Sequence, residues 1–263
     1  MGPRRRRWRR RAVKAALVAV GSALVVLRRL LAESRQHRDI LQGDFRDSYA
    51  NLTLKTLLLL SWARACCSGT PFLLKADDDV FVNVPAVATA LSAWPAIPPR
   101  LYLGRVHWSV APNRDPRSRH HVPVDVYPGS RFPPYCSGTA YVLSRQAAIA
   151  VLRGAAGLSP AVPEDVWVGL GAARAGLYPR HWARFGGSQR VPPGRCCLGR
   201  ALLSGHRVRP PKMRRVWGEI AGGDGGCGGL MGWGALGVLR CRVMAWGDWL
   251  WGGGDGGDDV MGE

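Results

Sequence analysis

The sequence predicts an α/β domain, and two observations carry that prediction. Short apolar runs of strand length, at 72–76, 80–82, 101–108 and 140–143, alternate with segments whose apolar residues recur at helical spacing. A hydrophobic fraction of 47% in 263 residues is ample for a buried core. The chain reads as one domain with atypical ends: a basic segment over 1–30, the domain over 31–217, and a Gly- and Trp-rich tail over 218–263.

The elements follow in order. Arginines crowd residues 4–11, and residues 15–27 carry no charge. That stretch is shorter than the roughly 20 apolar residues of a membrane span. Two readings stay open: a short signal anchor, whose basic flank would hold the N-terminus in the cytosol, or a buried strand or helix. From 40 to 60 the spacing predicts a helix under the sheet, with Leu52, Thr53 and Thr56 ahead of the run 57–60. After the strands 72–76 and 80–82, Pro85 opens a helix to about Ala93, which Pro95, Pro98 and Pro99 end. The strand 101–108 leads into residues 111–131, rich in Pro, Arg and His and without periodicity, a loop and candidate lid. Gly138 precedes the next strand and admits close backbone approach. Ser144 caps a helix to about Arg153. The tail shows neither period, and disorder is expected beyond Trp246.

Charge and cysteine usage narrow the class. The net charge of +19 divides into +10 over 1–35, +14 over 36–215 and −5 over the rest. No nucleic-acid motif accompanies it, nor basic residues interleaved with aromatics on one face, so nucleic acid is not an expected partner. A basic cleft also attracts anionic substrates. Cys66, Cys67, Cys136, Cys196, Cys197, Cys227 and Cys241 form no Cys-x-x-Cys pair and read as a disulfide set with at least one free thiol. Asn51-Leu52-Thr53 is an N-glycosylation acceptor triplet.

The chemistry concentrates at Asp77-Asp78-Asp79, where one apolar run ends and the next begins. Three adjacent carboxylates repel, and a divalent cation or cationic ligand among them relieves that; oxygen ligands suit Mg²⁺ or Mn²⁺. Against this stands a solvated acidic turn. Glu164 and Asp165 open a helix after Pro163, where a helix dipole alone would favour them. Trp108, Tyr135 and Trp167 are either core aromatics or platforms for a sugar face.

Four segments fix a resemblance: Lys75-Ala-Asp-Asp-Asp-Val-Phe-Val-Asn83, Tyr102-Leu-Gly-Arg-Val-His-Trp108, residues 132–144 with Pro-Pro-Tyr-Cys-Ser-Gly-Thr, and Glu164-Asp-Val-Trp-Val-Gly169. In order and spacing they resemble the β-1,3-galactosyltransferase family, glycosyltransferase family 31. The likeness runs from about Leu31 to Trp246, and its flanking pieces are most similar to the ganglioside-directed branch. It implies a GT-A-like fold, a mixed sheet flanked by helices. It implies inverting transfer of galactose from UDP-galactose to the 3-hydroxyl of N-acetylgalactosamine on a ganglioside-type glycolipid, with Mn²⁺ or Mg²⁺ as cofactor, in a Golgi membrane protein of single-pass type II topology with a lumenal domain. The residue roles it implies are Asp165 as general base; Asp77, Asp79 and His206 as metal ligands; Asp77, Asp78 and Lys75 at the nucleotide sugar; Trp108, Tyr135, Gly138, Glu164 and Trp167 at the substrates; and a glycan on Asn51. Two departures accompany it: little of the family's first β-α-β unit is found ahead of the triplet, and residues 188–194 differ from the family pattern. Transfer of N-acetylglucosamine and a non-catalytic membrane protein are the alternatives.

Overall fold

The computed structural model describes residues 21–22, 24–96, 98–186, 195–222 and 236–243. The chain divides into two compact units, Met1–Asp44 and Phe45–Glu263. The first is helical over 24–37 and leaves the helix at Arg38, whose φ of 56° is left-handed. Among the described residues no helix is long and apolar enough to cross a membrane. Most of the uncharged stretch 15–27 lies outside those residues.

In the second unit a 3₁₀ turn, Tyr49–Asn51, leads into α1 (Leu52–Cys66). The helix therefore starts well after Ile40. Residues 38–48 are irregular because Gly43, Asp44 and Asp47 interrupt the apolar spacing with turn formers. One stripe of α1 is buried, Thr53, Thr56, Leu60 and Ala63. The two threonines tolerate burial because each hydroxyl donates a hydrogen bond, Thr53 to Val162 O and Thr56 to Glu164 Oε1, both at 2.9 Å.

β1 (Phe72–Ala76) and β2 (Phe81–Val82) flank the acidic triplet. The short helix α2 (Val84–Ser92) starts where Asn83 Oδ1 accepts from Ala86 N and Pro85 fixes the first turn. β3 (Tyr102–His107) is followed, after the loop, by β4 (Tyr135–Ser144), which takes in Tyr135 to Thr139 as well as the expected 140–143. Ser144 Oγ accepts from Ala147 N and caps α3 (Arg145–Gly154). Then come α4 (Glu164–Arg174), β5 (Arg180–His181), a π-helical turn (Arg195–Ala201), β6 (Ser204–Gly205) and α5 (Pro210–Ala221). Residues 236–243 are also helical. The tail thus holds helix that no sequence period announced, and the disorder expected beyond Trp246 falls outside the described residues.

The main sheet is mixed, in the order β1-β4-β3-β5: β4 pairs antiparallel with β1 and β3, and β3 pairs parallel with β5. Alternation along β4 builds a core on each face. Tyr141 and Leu143 point to α1, α3 and α4, joining Tyr102, Val151, Val166 and Trp167. Ala140 and Val142 point the other way, to Val80, Val87, Leu91, Leu103 and Phe185. Each large side chain so buried contributes about 1.5–3 kcal/mol. A third cluster gathers Phe81, Leu198, Leu202, Val208 and Val216 around the disulfide Cys197–Cys241. Cys196 is also disulfide-bonded, while Cys66, Cys67 and Cys136 are free thiols.

Candidate active site

The register of β1 on β4, with Lys75 opposite Tyr141 and Ala76 opposite Ala140, brings the end of β1 against the middle of β4. There Asp77 N donates to Thr139 O at 3.2 Å, and Val80 N donates back to Asp77 O, closing the acidic turn. The three carboxylates do not converge. Asp77 turns inward to Lys75, Asp78 is exposed, and Asp79 meets His206. Their mutual repulsion is relieved by separation and by separate partners.

On the inward side one residue organises the cluster. Lys75 Nζ donates to Asp77 Oδ1 and to Gly138 O, both at 2.6 Å, and lies 3.1 Å from Glu164 Oε2. Glu164 is only 6% exposed, and its Oε1 accepts from Tyr141 Oη at 2.6 Å and from Thr56. Burial pushes the Glu164 carboxyl above its ordinary value, although the Lys75 charge and the two hydroxyls pull it back. Burial lowers the Lys75 ammonium, but Glu164 and Asp77 outweigh it, and Lys75 sits above its ordinary value. Glu164 is therefore a structural anion beneath the site and offers a substrate no free face.

Asp165, the next residue, faces the site. Its Oδ2 accepts from Gly138 N at 3.0 Å and its Oδ1 from Val166 N at 2.9 Å. Burial raises its carboxyl above the usual value, against those two N–H groups and Lys75. Gly138 keeps this approach open: an added Cβ would stand 3.2 Å from Glu164 Oε2, a tight contact, and 3.4 Å from Asp165 Oδ2, an ordinary one.

The outward side is set by β2 and β6. Phe81 pairs with Gly205, and Val208 N donates to Asp79 O at 2.9 Å, so His206 Nε2 comes within 3.2 Å of Asp79 Oδ2. Buried Asn83 fastens the same region, donating from Nδ2 to Leu198 O and Gly199 O. Among the described residues no three metal-ligating side chains converge as a ready-made site. A carboxylate and an imidazole at this spacing fit a divalent cation that completes its shell with diphosphate oxygens and water, as Mn²⁺ or Mg²⁺ does. Asp77 does not join them, because Lys75 holds it.

Of the three aromatics, Trp108 is 55% exposed and free to face a sugar, whereas Tyr135 and Trp167, at 8% and 3%, are core residues. Trp167 packs inside the helical core; Tyr135 stacks its ring at 5.2 Å from His107. Asn51 Nδ2 donates to Arg46 O at 2.7 Å. Residues 188–194 lie outside the described residues.

Sequence reasoning missed Tyr49. Its hydroxyl shares a hydrogen bond of 2.8 Å with His120 Nδ1, and the Arg119 guanidinium lies 5.2 Å over its ring. Its phenol is pushed up to about 12, first by burial and then by Asp165, with Asp77 and Glu164 adding to it. Tyr49 thus stands within the field of the acid cluster. The loop of residues 111–131, which supplies Arg119 and His120, is pinned by Arg114 to Val122 O, Tyr127 O and Gly129 O and by Arg131 to Ser109 O. No local signal marked Tyr49, since its partners lie 71 residues on.

Residues 8–183 match the Galactosyltransferase family. The chain is 43% identical over 249 residues to beta-1,3-galactosyltransferase 4 of Mus musculus, covering 82% of this chain and 67% of that protein. It is 42% identical over 249 residues to beta-1,3-galactosyltransferase 4 of Homo sapiens, covering 82% and 66%. Lactosylceramide 1,3-N-acetyl-beta-D-glucosaminyltransferase B of Xenopus laevis is 35% identical over 179 residues, covering 67% and 48%. The chain spans about two thirds of the length of the two galactosyltransferases.

Proposed function

The chain belongs to the galactosyltransferase family, a family of hexosyltransferases, and we propose that it transfers galactose from UDP-galactose to the 3-hydroxyl of N-acetylgalactosamine on a ganglioside-type glycolipid. Its mixed sheet flanked by helices is consistent with a GT-A-like domain. The observation that carries the reading is the placement of Asp165, a carboxylate aimed by two backbone N–H groups and set beside the acidic turn.

Asp165 takes the proton of the acceptor hydroxyl as that oxygen attacks the anomeric carbon. The bond from that carbon to UDP breaks as the new one forms, so an α-linked donor gives a β-linked product. Burial helps, because a carboxylate with a raised value is a stronger base, provided the pH keeps it ionised. Asp79 and His206 would hold the cation, and Asp78, exposed on the same turn, would meet the ribose. When bound, the cation offsets charge growing on the departing diphosphate. Trp108 offers a platform for the acceptor sugar. The uncharged stretch 15–27, behind its basic flank, would serve as the short signal anchor of a type II Golgi membrane protein, with Asn51 glycosylated on the lumenal side. The similarity to beta-1,3-galactosyltransferase 4, 43% against 35% for the N-acetylglucosaminyltransferase, supports galactose as the sugar moved.

The test is turnover by Asp165→Asn with UDP-galactose and UDP-N-acetylglucosamine on matched acceptors. The amide should keep UDP affinity while turnover falls about 10²- to 10⁴-fold. Turnover near that of the parent would remove Asp165 from the role of base, and a preference for the N-acetylglucosamine donor would replace the proposed reaction by its sister.

A further inference from the structure

We propose that Lys75 is a positioning residue rather than a ligand of the donor: its ammonium ties the acidic turn to the backbone that aims Asp165, holding the two ends of the site at a fixed spacing. The inference rests on Asp165 acting as the base. An ammonium has three N–H donors. In Lys75 each has an acceptor, Asp77 Oδ1 and Gly138 O at 2.6 Å and Glu164 Oε2 at 3.1 Å, and no donor remains for a phosphate. Gly138 is shared: its carbonyl accepts from Lys75, and its N–H donates to Asp165 Oδ2. Asp77 in turn is held to β4 through Thr139 O. A chain of three contacts therefore runs from the triplet to Asp165 by way of the Lys75 ammonium. Tyr141 and Thr56, on the far oxygen of Glu164, fix the base of the clamp.

A neutral side chain at 75 would strand the buried Glu164 anion and could unfold the domain for that reason alone. The informative changes are Lys75→Met combined with Glu164→Gln, which removes both charges while the amide oxygen still accepts from Tyr141 and Thr56, and Lys75→Arg, which keeps the charge. A planar guanidinium cannot serve three acceptors from one nitrogen. Glu164→Gln alone is the reference for loss of the buried anion. Thermal midpoints, UDP affinity with and without Mn²⁺, kcat and KM are compared in the full chain. The double change should lower kcat about 10²-fold below the Glu164→Gln reference, since displacement by about 1 Å at a reacting geometry costs that much. UDP affinity should fall as Asp77 loses its restraint. Lys75→Arg should stay folded, at the cost of a lower midpoint, and lose kcat in the folded fraction, which a merely charge-balancing lysine would not do. Parental kcat and UDP affinity in either folded variant overturn the clamp. If Asp165→Asn retains full turnover, the base assignment fails instead, and UDP affinity still decides whether Lys75 restrains the acidic turn.

Discussion

The helix that carries Asp165 is seated by glycines, and this gives a prediction linking packing to catalysis. Gly154 ends α3 against Gly171 in α4; a Cβ added at Gly154 would stand well inside contact distance of Gly171 O, a backbone atom with no rotamer to turn away. At Gly171 itself an added Cβ would lie 2.8 Å from Val151 O and 2.9 Å from Ala155 Cβ. Gly154→Ala must therefore push the two helices apart. Overpacking costs about 1–3 kcal/mol, and a clash with backbone belongs at the upper end. Alanine returns at most about 1 kcal/mol of helix propensity in a helix interior, less at the last residue of α3. A net loss of about 2 kcal/mol lowers the midpoint of a domain this size by about 4–8 °C. Six residues separate Gly171 from Asp165, a distance of about 9 Å along one rigid helix. The shift therefore reaches the carboxylate, and the folded fraction should also turn over more slowly. Gly218→Ala is the control: it lies within α5, and a Cβ there meets nothing within 4 Å. It should gain up to about 1 kcal/mol. Calorimetry and steady-state rates on the two variants check this. An unchanged midpoint for Gly154→Ala, or equal shifts at both positions, would refute the reasoning.

Asp79→Ala should leave the midpoint near that of the parent, because the side chain is half exposed and its partner His206 remains, while Mn²⁺-dependent UDP affinity, read by titration calorimetry, should fall about tenfold or more. Ordinary affinity and metal dependence would clear Asp79 of the ligand role. Stability should decline in strong alkali. Lys75, Tyr102 and Tyr141 all hold their protons above their ordinary values, so their contribution is complete at neutral pH and is lost as the pH climbs past about 10, where the unfolded chain releases those protons first. Midpoints measured from about pH 8 to about pH 11 should fall, and less steeply in Tyr141→Phe, which starts about 1.5–3 kcal/mol lower for want of its bond to Glu164. A flat profile in the parent would contradict the assigned directions.

What could be read from the sequence was local. The strands flanking the triplet, the proline that opens α2 and the serine that caps α3 each depend on residues within a few positions of one another. The triplet itself was found for the same reason, being contiguous. The roles inside it were not legible. Asp77 and Asp79 look equivalent in sequence, and they differ only because Lys75 faces one and His206, 127 residues later, faces the other. Glu164 and Asp165 are adjacent acids in a first helical turn. Which points into the protein depends on Tyr141, Thr56 and Gly138, brought there by the sheet. Trp167 and Tyr135 carried no sign of burial beyond being aromatic. The helix begun too early at Ile40 shows the opposite fault, a genuine spacing overruled by turn-forming residues.

If Asn51 carries the proposed glycan, the bond from Thr53 to Val162 also works as a clock. An oligosaccharide can be attached to Asn51 only while the whole triplet can lie in another enzyme's groove, and Thr53 is 2% exposed once its hydroxyl meets Val162 O. That partner is made 109 residues later. At about 5–20 residues per second, synthesis leaves an interval of roughly 5–20 s before the lock can close. In a chain threaded into the secretory lumen, the fraction of molecules carrying sugar at Asn51 would therefore record how long the segment waited for the rest of its domain. Slowing translation between the two residues should raise that fraction, and a Thr53→Ser change should leave the timing in place, because serine presents the same hydroxyl to the same carbonyl.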